Sequence, residues 1–146
     1  MKEHPKNLYR TWIEIDVKKL HQNIGEFLKL VPKKTYLMAV VKSNAYGHGI
    51  VGITKALSKN RNFKKRGWFG VDSIVEAVRL RDEGVRAPLL VLGYILPERL
   101  EEARMRNIMV TASTLDTLKT IIRMKQPPVV HLKFDTGMNR LGFTLD

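Results

Sequence analysis

The fold is read from Leu37-Met38-Ala39-Val40-Val41-Lys42-Ser43-Asn44-Ala45-Tyr46-Gly47-His48-Gly49. An apolar run ends on a lysine and passes through a short polar segment to two glycines. Residues 50–59 follow, with apolar side chains three or four apart. The run has the composition of a buried strand and the following segment the period of an amphipathic helix, so together they form one strand–loop–helix unit. The same alternation recurs along the chain. Strands are expected at 36–41, 68–71, 89–92, 108–111 and 129–134, and helices at 17–30, 50–59, 74–83, 97–106 and 115–125. A further weakly alternating strand is expected at 11–15, ahead of a first helix capped by Asp16.

Residues at the segment ends agree with the periods. Ser73 with Glu76, and Ser113 with Asp116, have the spacing in which a hydroxyl satisfies an orphan N–H and a carboxylate reaches back. Pro97 suits a first helical turn, Gly84 can end a helix in the left-handed conformation, and Gln126-Pro127-Pro128 stops the last one. Strand starts at 36, 68, 89, 108 and 129 lie 32, 21, 19 and 21 residues apart. Such intervals suit repeated right-handed βα units and hence a parallel sheet, either doubly wound or rolled into a barrel. Five strands complete an open sheet but not an eight-unit barrel.

Composition limits the function. The chain has 146 residues, is 44% apolar and has no cysteine, so it is expected to pack as a globular protein without disulfides, thiolate metal sites or a thiol nucleophile. Its longest uncharged apolar stretch, 87–96, contains Pro88 and is about half of a membrane span. No apolar segment follows the basic residues at the N-terminus, and a cytoplasmic location is expected. The net charge is +12. Between Phe27 and Val71 there is no carboxylate and there are ten Lys or Arg, a field that attracts phosphate. No nucleic-acid recognition module accompanies it, so neither a nucleic acid nor a membrane is expected as partner.

A lysine closing a buried strand has a desolvated ammonium unless the strand end opens into a site, and α/β folds place their chemistry at that end. Lys42 is therefore a candidate nucleophile toward aldehydes and a proton carrier. Two neighbouring patterns are decoys. Gly47-His48-Gly49-Ile50-Val51-Gly52, with Asp72 twenty residues on, spells a dinucleotide fingerprint, but five residues separate its first glycine from the strand. Asp135-Thr136-Gly137 spells an aspartic-protease triplet in a setting with helices on either side, where that chemistry needs paired carboxylates in a β fold.

A third reading covers both regions. Ala39-Val40-Val41-Lys42-Ser43-Asn44-Ala45-Tyr46-Gly47-His48-Gly49 resembles the cofactor-lysine signature of alanine racemases, and Lys133-Phe134-Asp135-Thr136-Gly137-Met138-Asn139-Arg140-Leu141-Gly142-Phe143 resembles the second hallmark of that family. Thr11-Trp12-Ile13-Glu14-Ile15-Asp16 is similar to the segment leading into its first helix. The departures are Ser43, where alanine is common, and Asn139, where glycine is common.

The resemblance implies an incomplete parallel (β/α) TIM-type barrel with about five of eight βα units. Residues 1–146 would be the N-terminal portion of a pyridoxal 5'-phosphate-binding barrel whose remainder, and a C-terminal β domain, lie outside the sequence. It implies interconversion of L- and D-alanine, supplying D-alanine for peptidoglycan, by a homodimer in the full-length protein. Serine or broad specificity is the alternative substrate range, and a non-catalytic module needing a complementary chain is the alternative role. Lys42 matches the lysine that carries the cofactor and serves as base for the D-amino acid. Tyr46 matches a phosphate-binding phenol, and Arg140 the arginine at the cofactor's phenolic oxygen and the substrate carboxylate. Lys133 matches a position carbamylated in some members. The second acid–base group would be a tyrosine outside this sequence, from the other subunit. His48, Asn44 and Asp135 are expected to support the loops.

Overall fold

A computed structural model describes residues 10–144. In chain order the elements are α1 (Val17–Leu30), β1 (Leu37–Val40), α2 (Lys42–Tyr46), α3 (Ile50–Lys59), α4 (Arg61–Arg66), β2 (Gly67–Val71), α5 (Ile74–Asp82) and β3 (Leu89–Val91). A 3-10 turn (Pro97–Arg99) then runs into α6 (Leu100–Met105), followed by β4 (Met109–Ala112), α7 (Leu115–Arg123) and β5 (Val130–Leu132). No helix among the described residues is long and apolar enough to cross a membrane.

The strand order separates the two architectures the sequence left open. All five strands are parallel and lie in the order β1-β2-β3-β4-β5, so every crossover steps the same way across the sheet. Right-handed crossovers in one direction put all their helices on one face, and the sheet rolls around the other. The roll brings distant strands together. Trp68 of β2 and His131 of β5 are three strands apart, about 14 Å in a flat sheet at normal strand spacing, yet their ring centroids lie 5.9 Å apart. The fold is five units of a (β/α) barrel.

Strand alternation divides the side chains between two layers. Phe69, Val71, Leu89, Val91, Val110 and Ala112 face outward and are fully buried against Ala77 and Leu80 of α5, Leu100 and Ala103 of α6, and their neighbours. Each large apolar side chain so buried contributes roughly 1.5–3 kcal/mol. The inward layer holds Met38 paired with Trp68, Leu90 level with Gly70 and Met109, and Thr111 paired with His131. Among the described residues β1 and β5 are paired on one side only, and Val40 and Leu132 are exposed there.

Three expectations need correction. Residues 11–15 form no strand and pair with nothing in the sheet. Ser113 does not cap α7. That role falls to Thr114, whose extended backbone turns its hydroxyl toward the Thr117 N–H, while the Ser113 hydroxyl is buried with no hydrogen-bond partner. The basic run before β2, where no element was expected, is a helix, α4. Asn60 accepts from the N–H groups of Asn62 and Phe63, and Phe63 is its single buried anchor, too little to generate a visible period. Asp16, Ser73 and Gly84 act as expected.

Arg81 staples the N-terminal end of the sheet. Its guanidinium is buried and donates to the carbonyls of Val85, Ala87, Arg106 and Asn107 at 2.7–3.1 Å. Burial, aided by repulsion from Arg86, lowers its proton affinity from the ordinary arginine value, and the four carbonyls compensate the charge. Arg81→Met should therefore lower stability by about 3 kcal/mol, read as an earlier midpoint of urea denaturation.

Candidate active site

The C-terminal ends of the strands surround a cleft of about 860 Å³, a volume suited to a small ligand or cofactor. Its base is mixed: Leu90 and Leu92 line it, with the polar Thr111 and His131, and the Trp68 ring meets His131 nearly edge-on. Lys42, Tyr46, Lys133 and Arg140, the four residues singled out in the sequence, all line this one cleft.

Lys42 opens α2, which is not an ordinary helix. Ser43, Asn44, Ala45 and Tyr46 all have φ between 52 and 55°, a left-handed turn made without glycine. Each such residue costs roughly 1–2 kcal/mol relative to the right-handed form. The surroundings hold it in place. The Ala45 N–H donates to the Val41 carbonyl at 2.8 Å, the Gly49 N–H to the Asn44 carbonyl at 2.9 Å, and the Ile50 N–H to Asn44 Oδ1 at 3.0 Å. His48 closes onto the Ala45 carbonyl through Nδ1 at 2.8 Å. These bonds also explain why the glycine pattern is not a phosphate loop. The N–H groups of Gly47, Gly49 and Ile50 are used inside the turn.

Glu76 ties this turn to the next strand. Its carboxylate accepts from the Asp72 N–H at 2.9 Å and, more weakly, from the Asn44 N–H at 3.4 Å. The reach-back expected toward Ser73 is thus made one residue earlier. Asp72 in turn faces Lys42, with Oδ1 3.9 Å from Nζ. Gly93 packs on the Asp72 carbonyl so closely that a Cβ there would overlap it.

The opposite wall is the loop 133–143. Asp135 organises it by accepting from the N–H groups of Gly137 and Asn139 at 3.0 Å and Arg140 at 2.8 Å. The Phe143 N–H donates to the Lys133 carbonyl, and the Asp135 N–H to the Phe143 carbonyl, closing the loop at its neck. Gly142, at φ 136°, has backbone where a Cβ would stand. Asn139 has φ 54°, a conformation asparagine tolerates better than most residues other than glycine. Lys133 and Arg140 have no carboxylate partner among the described residues.

The donor set fits a flat anionic aldehyde. A primary amine, two cations and a phenol line a cleft with Leu90 and Leu92 at its base, so there are groups for an aldehyde carbon, for phosphate and phenolate oxygens, and for a ring face. Sequence reading missed Asp72, His131 and Thr111 as lining residues. Alternation along β4 and β5 could have found the last two, but Asp72 was seen only within the dinucleotide decoy.

The sequence profile described as alanine racemase, N-terminal domain, matches residues 15–146. The chain belongs to this alanine racemase family. It is 40% identical over 137 residues to an alanine racemase of Fusobacterium nucleatum subsp. nucleatum, covering 94% of this chain and 37% of the relative. Among solved structures, the alanine racemase from E. faecalis superposes with a TM-score of 0.78 at 34% identity, over 88% of this chain and 35% of that one. The alanine racemase of Clostridium difficile in complex with cycloserine gives 0.82 at 31%, over 93% and 37%. The chain thus spans little more than a third of the length of these alanine racemases.

Asp135 gives this wall a pH dependence. Its backbone hydrogen bonds, that from Gly137 first, hold its carboxyl below the ordinary aspartate value. A lowered carboxyl stabilises the fold above its unfolded value, and the contribution is lost as pH falls through the folded one. Protection of the Gly137, Asn139 and Arg140 amides, taken relative to intrinsic exchange at each pH, should be retained at neutral pH and lost in acid below the usual carboxylate range. Asp135→Asn should show the lowered protection already at neutral pH.

Proposed function

We propose that this chain provides the cofactor-bearing part of a racemase that interconverts L- and D-alanine, with pyridoxal 5'-phosphate held on Lys42. The observation that carries the reading is that the Lys42 amine, at the C-terminal end of β1, shares one cleft with Tyr46 and Arg140. Bound there, the cofactor would supply an aldehyde for amines and a conjugated ring that acidifies the α-hydrogen of an attached amino acid.

The chain's own residues do the rest. Lys42 Nζ holds the cofactor and, when free, takes the α-proton from one face of the amino acid or returns it. The Tyr46 hydroxyl donates to phosphate. Arg140 offers a planar, permanently charged fork to a phenolate oxygen and a substrate carboxylate. Lys133 adds a second cation to that wall; carbamylated, it becomes an anion able to orient Arg140. Proton exchange on the opposite face needs a second group, which we assign to a tyrosine of another subunit in a homodimer. In this reading residues 1–146 are the N-terminal part of the barrel, and further chain supplies the remaining units and a β domain. The product, D-alanine, would serve peptidoglycan synthesis in the cytoplasm.

The exposed edges at Val40 and Leu132 favour a second reading of the 146 residues taken alone, as a module whose catalysis waits on a complementary segment.

Treatment with pyridoxal phosphate followed by borohydride should leave a stable adduct that peptide mass spectrometry maps to Lys42 and that Lys42→Ala lacks. In the full-length protein the same substitution should cut racemisation by at least roughly 10²- to 10⁴-fold. Ordinary racemisation by Lys42→Ala would overturn the proposal. Arg140→Lys should weaken retention of the cofactor and raise KM.

A further inference from the structure

We propose that Asp72 is a positioning residue for Lys42, giving the amine a fixed, ion-paired resting place in the cleft whenever it is free. The inference deepens the proposed function and rests on it for its link to turnover. Asp72 Oδ1 lies 3.9 Å from Lys42 Nζ, and both residues line the cleft. The other titratable groups lining the cleft are Tyr46 from the same α2, Tyr94 after β3, His131 from β5, and Lys133 and Arg140 from the loop opposite. Among these described lining residues Asp72 is the one carboxylate.

Its position is built rather than incidental. Glu76 clamps the Asp72 N–H and the Asn44 N–H with one carboxylate, joining the loop that carries Lys42 to the loop that carries Asp72. From the other side the Gly93 N–H donates to the Asp72 carbonyl at 3.1 Å, and the glycine allows that approach. The pair therefore joins two backbones already fixed relative to one another, which reduces the entropy that usually cancels an exposed ion pair. Lys42 is the more sheltered partner, its side chain 30% exposed against 61% for Asp72.

The pairing has a chemical consequence. An ammonium is not a nucleophile, so to attack an aldehyde carbon the nitrogen must pass a proton to solvent and leave Asp72. Asp72 thus competes with the aldehyde for Lys42, slowing capture and favouring release.

The test reads the amine itself, with a neutral acetylating ester as probe and mass spectrometry at Lys42 as readout at one fixed pH. Asp72→Asn should raise the labelling rate of Lys42 roughly two- to five-fold, the range expected for loss of an exposed pair. Asp72→Glu should restore the original rate. Asp82→Asn makes the same charge change on α5, where Asp82 pairs with Arg106 instead, and should leave labelling of Lys42 unaltered. An unchanged rate in Asp72→Asn, or an equal rise in Asp82→Asn, overturns the proposal. A parallel arm traps pyridoxal phosphate on Lys42 with borohydride, and Asp72→Asn should accumulate adduct faster. Altered acetylation with no trapping in any variant supports the ion pair and removes the proposed function. Trapping with unaltered acetylation does the reverse.

Discussion

Every crossover in this chain steps in one direction, and the rest of the architecture follows from that. Four right-handed steps the same way leave one face of the sheet to helices and the other to itself. The outward face became a dry aliphatic layer, with Phe69, Val71, Leu89 and Val91 removed from water. The inward face, with no helix to cover it, had to roll, and the roll set the rings of Trp68 and His131 against each other. Because parallel strands share a direction, their C-terminal loops gather at one rim. The loops after β1 and β5, far apart in sequence, thereby became opposite walls of a single cleft.

At that rim the local structure runs against intrinsic preference. Four consecutive residues other than glycine in the left-handed region are unfavourable by themselves, and such strain persists only where surroundings over-determine it. Here they do, through Asn44, His48 and the reach of Glu76 from α5. The result is a rigid mount for Lys42. The loop 133–143 reaches the same end differently, with Asp135 gathering three N–H groups so that Arg140 leaves the backbone at a fixed place.

Much of this was legible in the residues, for identifiable reasons. The helices 17–30 and 50–59 announce themselves because one face of each is buried, and burial is what creates a period. α4 was invisible because a six-residue helix with one buried phenylalanine has no period to show. Strand order was equally hidden, since spacing between βα units is the same whether a sheet reverses its winding or keeps turning. Lys42 could be singled out because it closes an apolar strand, whereas Tyr46, Lys133 and Arg140 were reached only through the resemblance of the motifs that hold them. Asp72 could not be singled out, since its meaning depends on a neighbour thirty positions away and on the register between β1 and β2. The carboxylate-free stretch between Phe27 and Val71 suggested a positive field in the region of Lys42, and the structure brings the Asp72 carboxylate to 3.9 Å from its amine.

The aromatic contact beneath the cleft has a further effect. With the Trp68 indole set against His131 and leucines beside them, the cationic rim stands over packed side chains. Low-dielectric walls focus field lines toward the open side. The positive potential of Lys133 and Arg140 is therefore projected outward through the mouth. An anion approaching that mouth would be steered by this field, so its arrival would be sensitive to ionic strength.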